Sequence, residues 1–284
     1  MTISTFTERS RAVLSTLYPT PEALTLTRHL LLERLGYSIA YIMLHQDEVI
    51  NPDFELQLLS DIERLGNAEP LQYVLGYAWF SELKIGVDQH VLIPRPETEE
   101  LVQFIRDEKF AANANMLDIC TGSGCIALAL KHSFPEVNIT GCDVSFEALL
   151  KAKNNAKDLN LNVNWVWVDV LDNQWGQIEE TQFELIVSNP PYILKSEADE
   201  MHENVLQYEP HIALFVEDDD PLIFYKRIAS FAYKNLKSNG QLWFEINEKQ
   251  GENVAQLLEN LHFHDVRIYH DLSGKDRFVY AEKK

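Results

Sequence analysis

The chain has no apolar run near the roughly 18 residues that span a bilayer, so no membrane segment is expected. Residues 1–11 lack the apolar stretch of a secretory signal and the arginine-rich pattern of a transit peptide, so the cytoplasm is the expected compartment. Cysteine is scarce. Cys120, Cys125 and Cys142 are an odd set without a secretory signal, and reduced thiols are expected. There is no paired C-x-x-C, and the nine histidines are scattered, with His262 and His264 the nearest to a cluster; no metal site is expected. Positive charge is also short. Only 24 Lys and Arg stand against 44 Asp and Glu, for a net charge of -20. With no basic run, that charge opposes direct binding to nucleic-acid phosphates and suits a basic protein partner. The G-x-G-x-x-G signature of a dinucleotide oxidoreductase is missing.

What is present begins with Asn189-Pro190-Pro191-Tyr192, placed directly after the apolar run Phe183–Ser188, which reads as a buried strand. Prolines cannot donate ladder hydrogen bonds, so the strand ends here in a stiff corner. That corner holds the Asn189 side chain and the Pro190 carbonyl in set directions beside an aromatic ring. Two fixed acceptors near a ring suit a planar amide or amino group, its hydrogens bound and its face covered by Tyr192.

Upstream, Met116–Leu130 reads as strand, glycine turn and helix. Gly122 and Gly124 permit positive φ and close approach of a ligand to backbone. The helix from Cys125 points its positive end at that ligand. A second strand ends at Asp143, 21 residues beyond Gly122, near the spacing at which a carboxylate accepts ribose hydroxyls. Asp169 follows a third strand. Gly122, Asp143, Asp169 and Asn189 all fall at predicted strand ends and are expected on one rim.

The D-x-C-T-G-S-G turn resembles the first motif of class I S-adenosylmethionine methyltransferases. Pro70-Leu71-Gln72-Tyr73-Val74-Leu75-Gly76, Phe80 and the run Ile93-Pro94-Arg95-Pro96-Glu97-Thr98-Glu99 then resemble the PrmC/HemK family, protein glutamine methyltransferases of peptide chain release factors. The match runs from about Pro70 to the end of the chain. It implies an α/β, Rossmann-like fold: a mostly parallel seven-stranded sheet with an antiparallel edge hairpin, plus a small N-terminal helical bundle. It implies methyl transfer to the glutamine of a Gly-Gly-Gln loop in a class-I release factor, which is the expected partner. S-adenosylmethionine is the implied cofactor, S-adenosylhomocysteine its product, with no metal. Cys120, Thr121, Gly122, Ser123, Gly124, Asp143, Asp169, Val170 and Asn189 are the implied cofactor contacts. Within that set Thr121–Gly124 carries the methionine end, Asp143 the ribose and Asp169 with Val170 the adenine, while Asp118 props the loop. Asn189, Pro190, Pro191 and Tyr192 are the substrate contacts, with Asn189, Pro190 and Tyr192 catalytic. Arg95, Glu97 and Thr98 belong either to the pocket wall or to a helix cap. A ribosomal-protein glutamine methyltransferase and an exocyclic-amine nucleic-acid methyltransferase are the alternatives; the Glu97-Thr98 pair disfavours the first and the acidic charge the second. One departure stands out. The family usually has glycine where this chain has Cys120, a swap that costs little if φ stays negative there.

Along the chain, residues 1–75 read as a helical recognition domain, with Pro19 and Pro21 dividing its first two helices and Asn51-Pro52 opening another. Residues 76–94 read as a hairpin linker with turns near Gly86 and Asp88, and 95–284 as the catalytic domain. There, after a helix at 97–107, strands at 116–120, 137–142, 163–168, 183–188, 240–246, 265–270 and 277–282 alternate with helices at 125–133, 145–158, 221–236 and 248–260. Asp220 is expected to cap the third of these helices, with Pro221 at its first position. A monomer is expected.

Overall fold

Polar caps and apolar stripes set the first helices in the computed structural model, which describes residues 1–172 and 175–284. Helix α1 (Ile3–Leu14) starts at Thr2, whose hydroxyl accepts from the Thr5 N–H at 3.2 Å. Helices α2 (Thr20–Leu35), α3 (Ile39–Leu44), α4 (Pro52–Gly66) and α5 (Leu71–Leu75) follow. Asn51 caps α4 through the Asp53 N–H at 3.0 Å, and Pro52 fills the first helical position, where an N–H has no partner anyway. Ile3, Phe6, Leu14, Leu30, Leu31, Leu58 and Leu65 are fully buried between these helices. Asp61, almost wholly buried, accepts from Arg34 Nε at 2.8 Å, and the same guanidinium donates to the Val74 carbonyl at 2.7 Å.

Strands β1 (Tyr77–Phe80) and β2 (Leu83–Gly86) pair as a small sheet. The tight turn is at Ser81 and Glu82, with φ of 48° and 67°, and not near Gly86 or Asp88 as expected. A two-residue hairpin needs left-handed backbone at both central residues. Here Ser and Glu adopt it, without the glycine that marks such turns in a sequence. Then come α6 (Pro96–Arg106), β3 (Asn115–Ile119), α7 (Cys125–Ser133), β4 (Asn138–Asp143), α8 (Phe146–Asp158), β5 (Asn164–Trp167) and β6 (Phe183–Ser188). Strand β7 (Ile193–Leu194), helix α9 (Glu203–Tyr208) and strand β8 (Phe215–Val216) come next, and β7 pairs in parallel with β8. Helix α10 (Ile223–Asn235), β9 (Leu236–Glu245), α11 (Gly251–Asn260), β10 (His264–His270) and β11 (Asp276–Glu282) complete the chain.

By internal contacts, residues 1–77 with 202–208 form one unit, and 78–201 with 209–284 the other. Helix α9 therefore belongs to the helical unit, where the Tyr208 hydroxyl donates to the Asn67 carbonyl at 2.6 Å.

In the second unit seven strands pair in the order β10-β11-β9-β6-β3-β4-β5. The links from β9 through β5 are parallel, and β11 runs antiparallel to both β9 and β10. Chain order reverses between β3 and β6, so a crevice opens beyond their carboxyl ends. Leu117, Ile119, Ile186, Leu242, Phe244 and Val279 are fully buried in the sheet, against Tyr225 and Ile228 of α10. Each such side chain contributes roughly 1.5–3 kcal/mol of burial. Two expectations shift. Helix α10 starts at Ile223, with Asp220 before it and its carboxylate on Lys226 Nζ at 2.6 Å. Strand β9 starts at Leu236, since Leu236 pairs with Phe183 ahead of a bulge. The polar run Lys237–Gly240 hides that extension from a reading by apolar pattern. Among the described residues no helix is long and apolar enough to cross a membrane.

Candidate active site

Between β3 and α7 the chain makes the glycine turn. Helix α7 has Gly124 as its N-cap, which offers no side chain. Asp118, buried on β3, serves in its place: Oδ2 accepts from the Ala127 N–H at 3.1 Å and from the Thr121 hydroxyl at 2.5 Å. The turn is also tied at Thr121 N to the Cys142 carbonyl (3.0 Å) and at Gly122 N to Asp143 Oδ2 (2.9 Å). Asn155 of α8, which sequence reasoning missed, donates from Nδ2 to the Ser123 carbonyl at 2.8 Å and to the Gly86 carbonyl at 3.0 Å. The Trp165 ring occupies the space that a Cβ at Gly124 or Gly141 would need, at 2.8 and 2.4 Å.

Burial pushes the Asp118 carboxyl up to about 7, although its two hydrogen bonds pull the other way. With the folded value above the ordinary 3.8, the protonated group favours the fold below about pH 4. That contribution is lost as pH rises towards 7. Unfolding free energies of wild type and Asp118→Asn between pH 4 and 8 should therefore differ in slope; parallel curves would contradict the shift.

Cys120 has φ of 61°, so the condition under which its swap for glycine costs little is not met. A left-handed non-glycine residue costs roughly 1–2 kcal/mol. Cys120→Gly should leave stability within about 1 kcal/mol, because relief of strain offsets the lost contacts and added chain entropy. Cys120→Val, β-branched at that φ, should cost a further ~1–3 kcal/mol in urea unfolding. Equal stability of the two variants would contradict the strain argument.

Asp143 ends β4, with Oδ1 on the Ser145 N–H at 2.9 Å. Burial raises its pKa, and the backbone donors at Ser145 and Gly122 oppose the rise. Asp169 follows β5 and accepts from the Leu171 N–H at 2.8 Å, next to buried Val170. Cys120, Thr121, Gly122, Ser123, Asp143, Asp169, Val170 and Asn189 line one cleft, together with Cys125, Arg95, Thr98 and Pro191. Gly124 is buried and outside the lining. Burial pushes the Cys125 thiol up to about 12, so it is a neutral wall group. Among the described residues no cluster of His, Cys, Asp or Glu is arranged to hold a metal.

The proline corner reaches this cleft from β6. Asn189 and Pro191 line it; Pro190 is buried outside the lining. Asn189 Nδ2 donates to the Thr98 hydroxyl at 3.2 Å, and Thr98 donates to Glu245 Oε2 at 2.7 Å. Tyr192, expected on the face of an amide, packs against the sheet core, and its hydroxyl donates to Glu245 Oε1 at 3.1 Å. Burial raises both pKa values, Tyr192 and Glu245, and Arg277 works against each rise. Arg95 precedes α6 without capping it by a side-chain bond; it donates to Glu209 Oε1 at 2.6 Å. Glu209, nearly inaccessible, also accepts from the Ile93 N–H at 3.1 Å. Glu97 sits in the first turn of α6, where negative charge suits the helix dipole. Glu209 and Glu245 were missed because neither lies in a readable motif.

A mostly parallel sheet with an antiparallel strand pair, a glycine turn at its switch point and carboxylates at its strand ends defines a class I methyltransferase. Residues 96–209 match the family described as "Methyltransferase small domain", and residues 8–76 that described as "PrmC N-terminal domain". The fold is similar to a crystal structure of a methyltransferase from Pyrococcus furiosus (TM-score 0.52, 18% identity, 82% of this chain and 99% of that one). It is also similar to the 16S rRNA N2 G1207 methyltransferase of T. thermophilus (TM-score 0.51, 16% identity, 73% of this chain and 50% of that one). Curated relatives are more similar in sequence. The release factor glutamine methyltransferase of Bacteroides thetaiotaomicron is 40% identical over 273 residues, 96% of this chain and 97% of that one. Its counterpart in Lactococcus lactis is 43% identical over 230 residues, 80% of this chain and 83% of that one. The chain belongs to the release factor glutamine methyltransferase family.

Proposed function

We propose that this enzyme transfers a methyl group from S-adenosylmethionine to the side-chain amide nitrogen of the Gly-Gly-Gln glutamine of a class-I peptide chain release factor. One observation carries the reading: Asn189 and Pro191 of the proline corner line the same cleft as the glycine turn and Asp143. The residues present fit the cofactor. Gly122 lines the cleft and a Cβ there would meet nothing within 4 Å, as expected of a turn whose backbone faces a ligand. Thr121–Gly124 would hold the methionine end, Asp143 the ribose hydroxyls, and Asp169 with Val170 the adenine. When bound, the cofactor supplies a sulfonium-activated methyl group and leaves as S-adenosylhomocysteine.

The protein's own task is the acceptor. An amide nitrogen is a weak nucleophile because its lone pair is delocalised into the carbonyl. Asn189 Oδ1 and the Pro190 carbonyl each accept one N–H of the glutamine. They orient the nitrogen and favour the positive charge that develops on it. Two acceptors that carry no proton of their own suit a primary amide. The proton leaves to solvent after transfer, and no side-chain base or metal is required. The helical unit recognises the release factor, the whole chain's net charge of -20 favours a protein partner over a nucleic acid, and the enzyme acts as a cytoplasmic monomer.

The test is direct. The protein is incubated with methyl-labelled cofactor and an undermethylated release factor, and the modified residue is located by mass spectrometry. Label on the Gly-Gly-Gln glutamine is expected. Label on another residue, on nucleic acid or on nothing would refute the reading.

A further inference from the structure

Glu245 ends β9 and has no part in the reading so far. It is 1% exposed, and both of its oxygens are engaged inside the protein: Oε2 by the Thr98 hydroxyl at 2.7 Å, Oε1 by the Tyr192 hydroxyl at 3.1 Å. A hydroxyl has one proton to give. With that proton directed to Glu245, Thr98 Oγ1 can only accept from Asn189. Asn189 accordingly meets it with Nδ2, the donor end of its amide, at 3.2 Å. Its other end, Oδ1, receives no hydrogen bond among the described residues, and Asn189 lines the cleft.

The two ends of an asparagine amide are nearly the same size, and rotation about χ2 is soft and close to two-fold. Sterics alone do not decide which end meets Thr98; polarity does. We infer that Glu245, acting through Thr98, sets the polarity of Asn189, so that the corner presents oxygen and selects a primary carboxamide over a carboxylate. The inference rests on the reading of the corner as an amide clamp. Glu245 and Thr98 are positioning residues, with Asn189 the group that touches substrate. A glutamine has two N–H groups for two acceptors. A glutamate in its place has none and sets oxygen against oxygen. With Asn189 reversed, Nδ2 would oppose the glutamine N–H and welcome the carboxylate. A site built to bond an N–H rejects an analogue that lacks it, because its own polar groups are then left unpaired.

Three variants separate polarity from shape. Glu245→Gln keeps the size but puts a donor where an acceptor stands. Thr98→Val removes the hydroxyl at nearly constant shape, and Thr98→Ser restores it. The substrates are the full-length release factor with its own glutamine and the same protein with glutamate in that place. Glu245→Gln and Thr98→Val should each lower kcat at least tenfold with cofactor Kd within twofold. Their preference for glutamine over glutamate in competitive binding should fall at least fivefold. Thr98→Ser should stay within threefold of wild type on every measure. A second readout needs no turnover. The side-chain NH2 signal of labelled Asn189, identified by its loss in Asn189→Asp, should exchange slowly with water in wild type and Thr98→Ser and at least tenfold faster in Thr98→Val. If Glu245→Gln does not fold, the valine and serine pair carries the test. Normal kcat and preference in Thr98→Val, or the same amide exchange in all three proteins, would overturn the inference. Failure of the wild type to methylate a release factor would remove the substrate reading, and amide exchange would still decide the relay.

Discussion

Asn189→Ala lowers kcat for glutamine methylation by at least about 10³-fold and leaves the cofactor Kd within about threefold. In the proposed clamp, the substitution removes the acceptor for one amide N–H. It also leaves the Thr98 hydroxyl without its donor, since Asn189 Nδ2 is bonded to it at 3.2 Å. Deleting one preorganised group aimed at developing charge typically costs 10²–10³ in kcat. Misorientation adds to that, because amide nitrogen reacts only when held in line with the methyl group. The cofactor side is built from other atoms: the turn is tied through Thr121, Gly122 and Asp143, none of which bonds to Asn189. Single-turnover assays and calorimetry measure the two quantities separately. A variant with normal turnover defeats the amide clamp, and one that loses cofactor binding in parallel makes Asn189 a structural residue.

Asp143→Ala raises the cofactor Kd at least about 10²-fold. The side chain serves two needs at once. Its oxygens take the Gly122 and Ser145 N–H groups at 2.9 Å each, which fixes the glycine turn against β4. Both oxygens keep capacity for ligand hydroxyls, since a carboxylate accepts about four hydrogen bonds. Hydrogen bonds to a charged group contribute roughly 1.5–3 kcal/mol each. Two ribose hydroxyls on the carboxylate would therefore exceed the ~2.7 kcal/mol that corresponds to a hundredfold change. Calorimetric titration checks it. Unchanged affinity would mean that the ribose site lies elsewhere.

The motifs that were legible are contiguous ones. Asn189–Tyr192 and Cys120–Gly124 each fit within five residues, and each carries a local backbone demand, a stop or a left-handed turn, that glycine and proline reveal. The alternation of strands and helices was legible for the same local reason, because burial of one face imposes a period. What stayed hidden was contact without local pattern. Thr98 and Glu245 are 147 residues apart in the chain, Arg95 and Glu209 114 apart. Ser81-Glu82 turns the hairpin without glycine, and Cys120 holds a positive φ that its residue type does not announce. The return of α9 to the helical unit has no signature at all, as it depends on where the chain lies after β7.

Residue types at short spacing were enough to determine the family, the parallel sheet and several of the residues that line the cleft, since backbone geometry constrains neighbours along the chain. Which end of the Asn189 amide points outward was decided only in three dimensions. It depends on a buried acid at the end of β9 that accepts the hydrogen bond of a hydroxyl on α6, and hydrogen-bond polarity of that kind passes through space rather than along sequence.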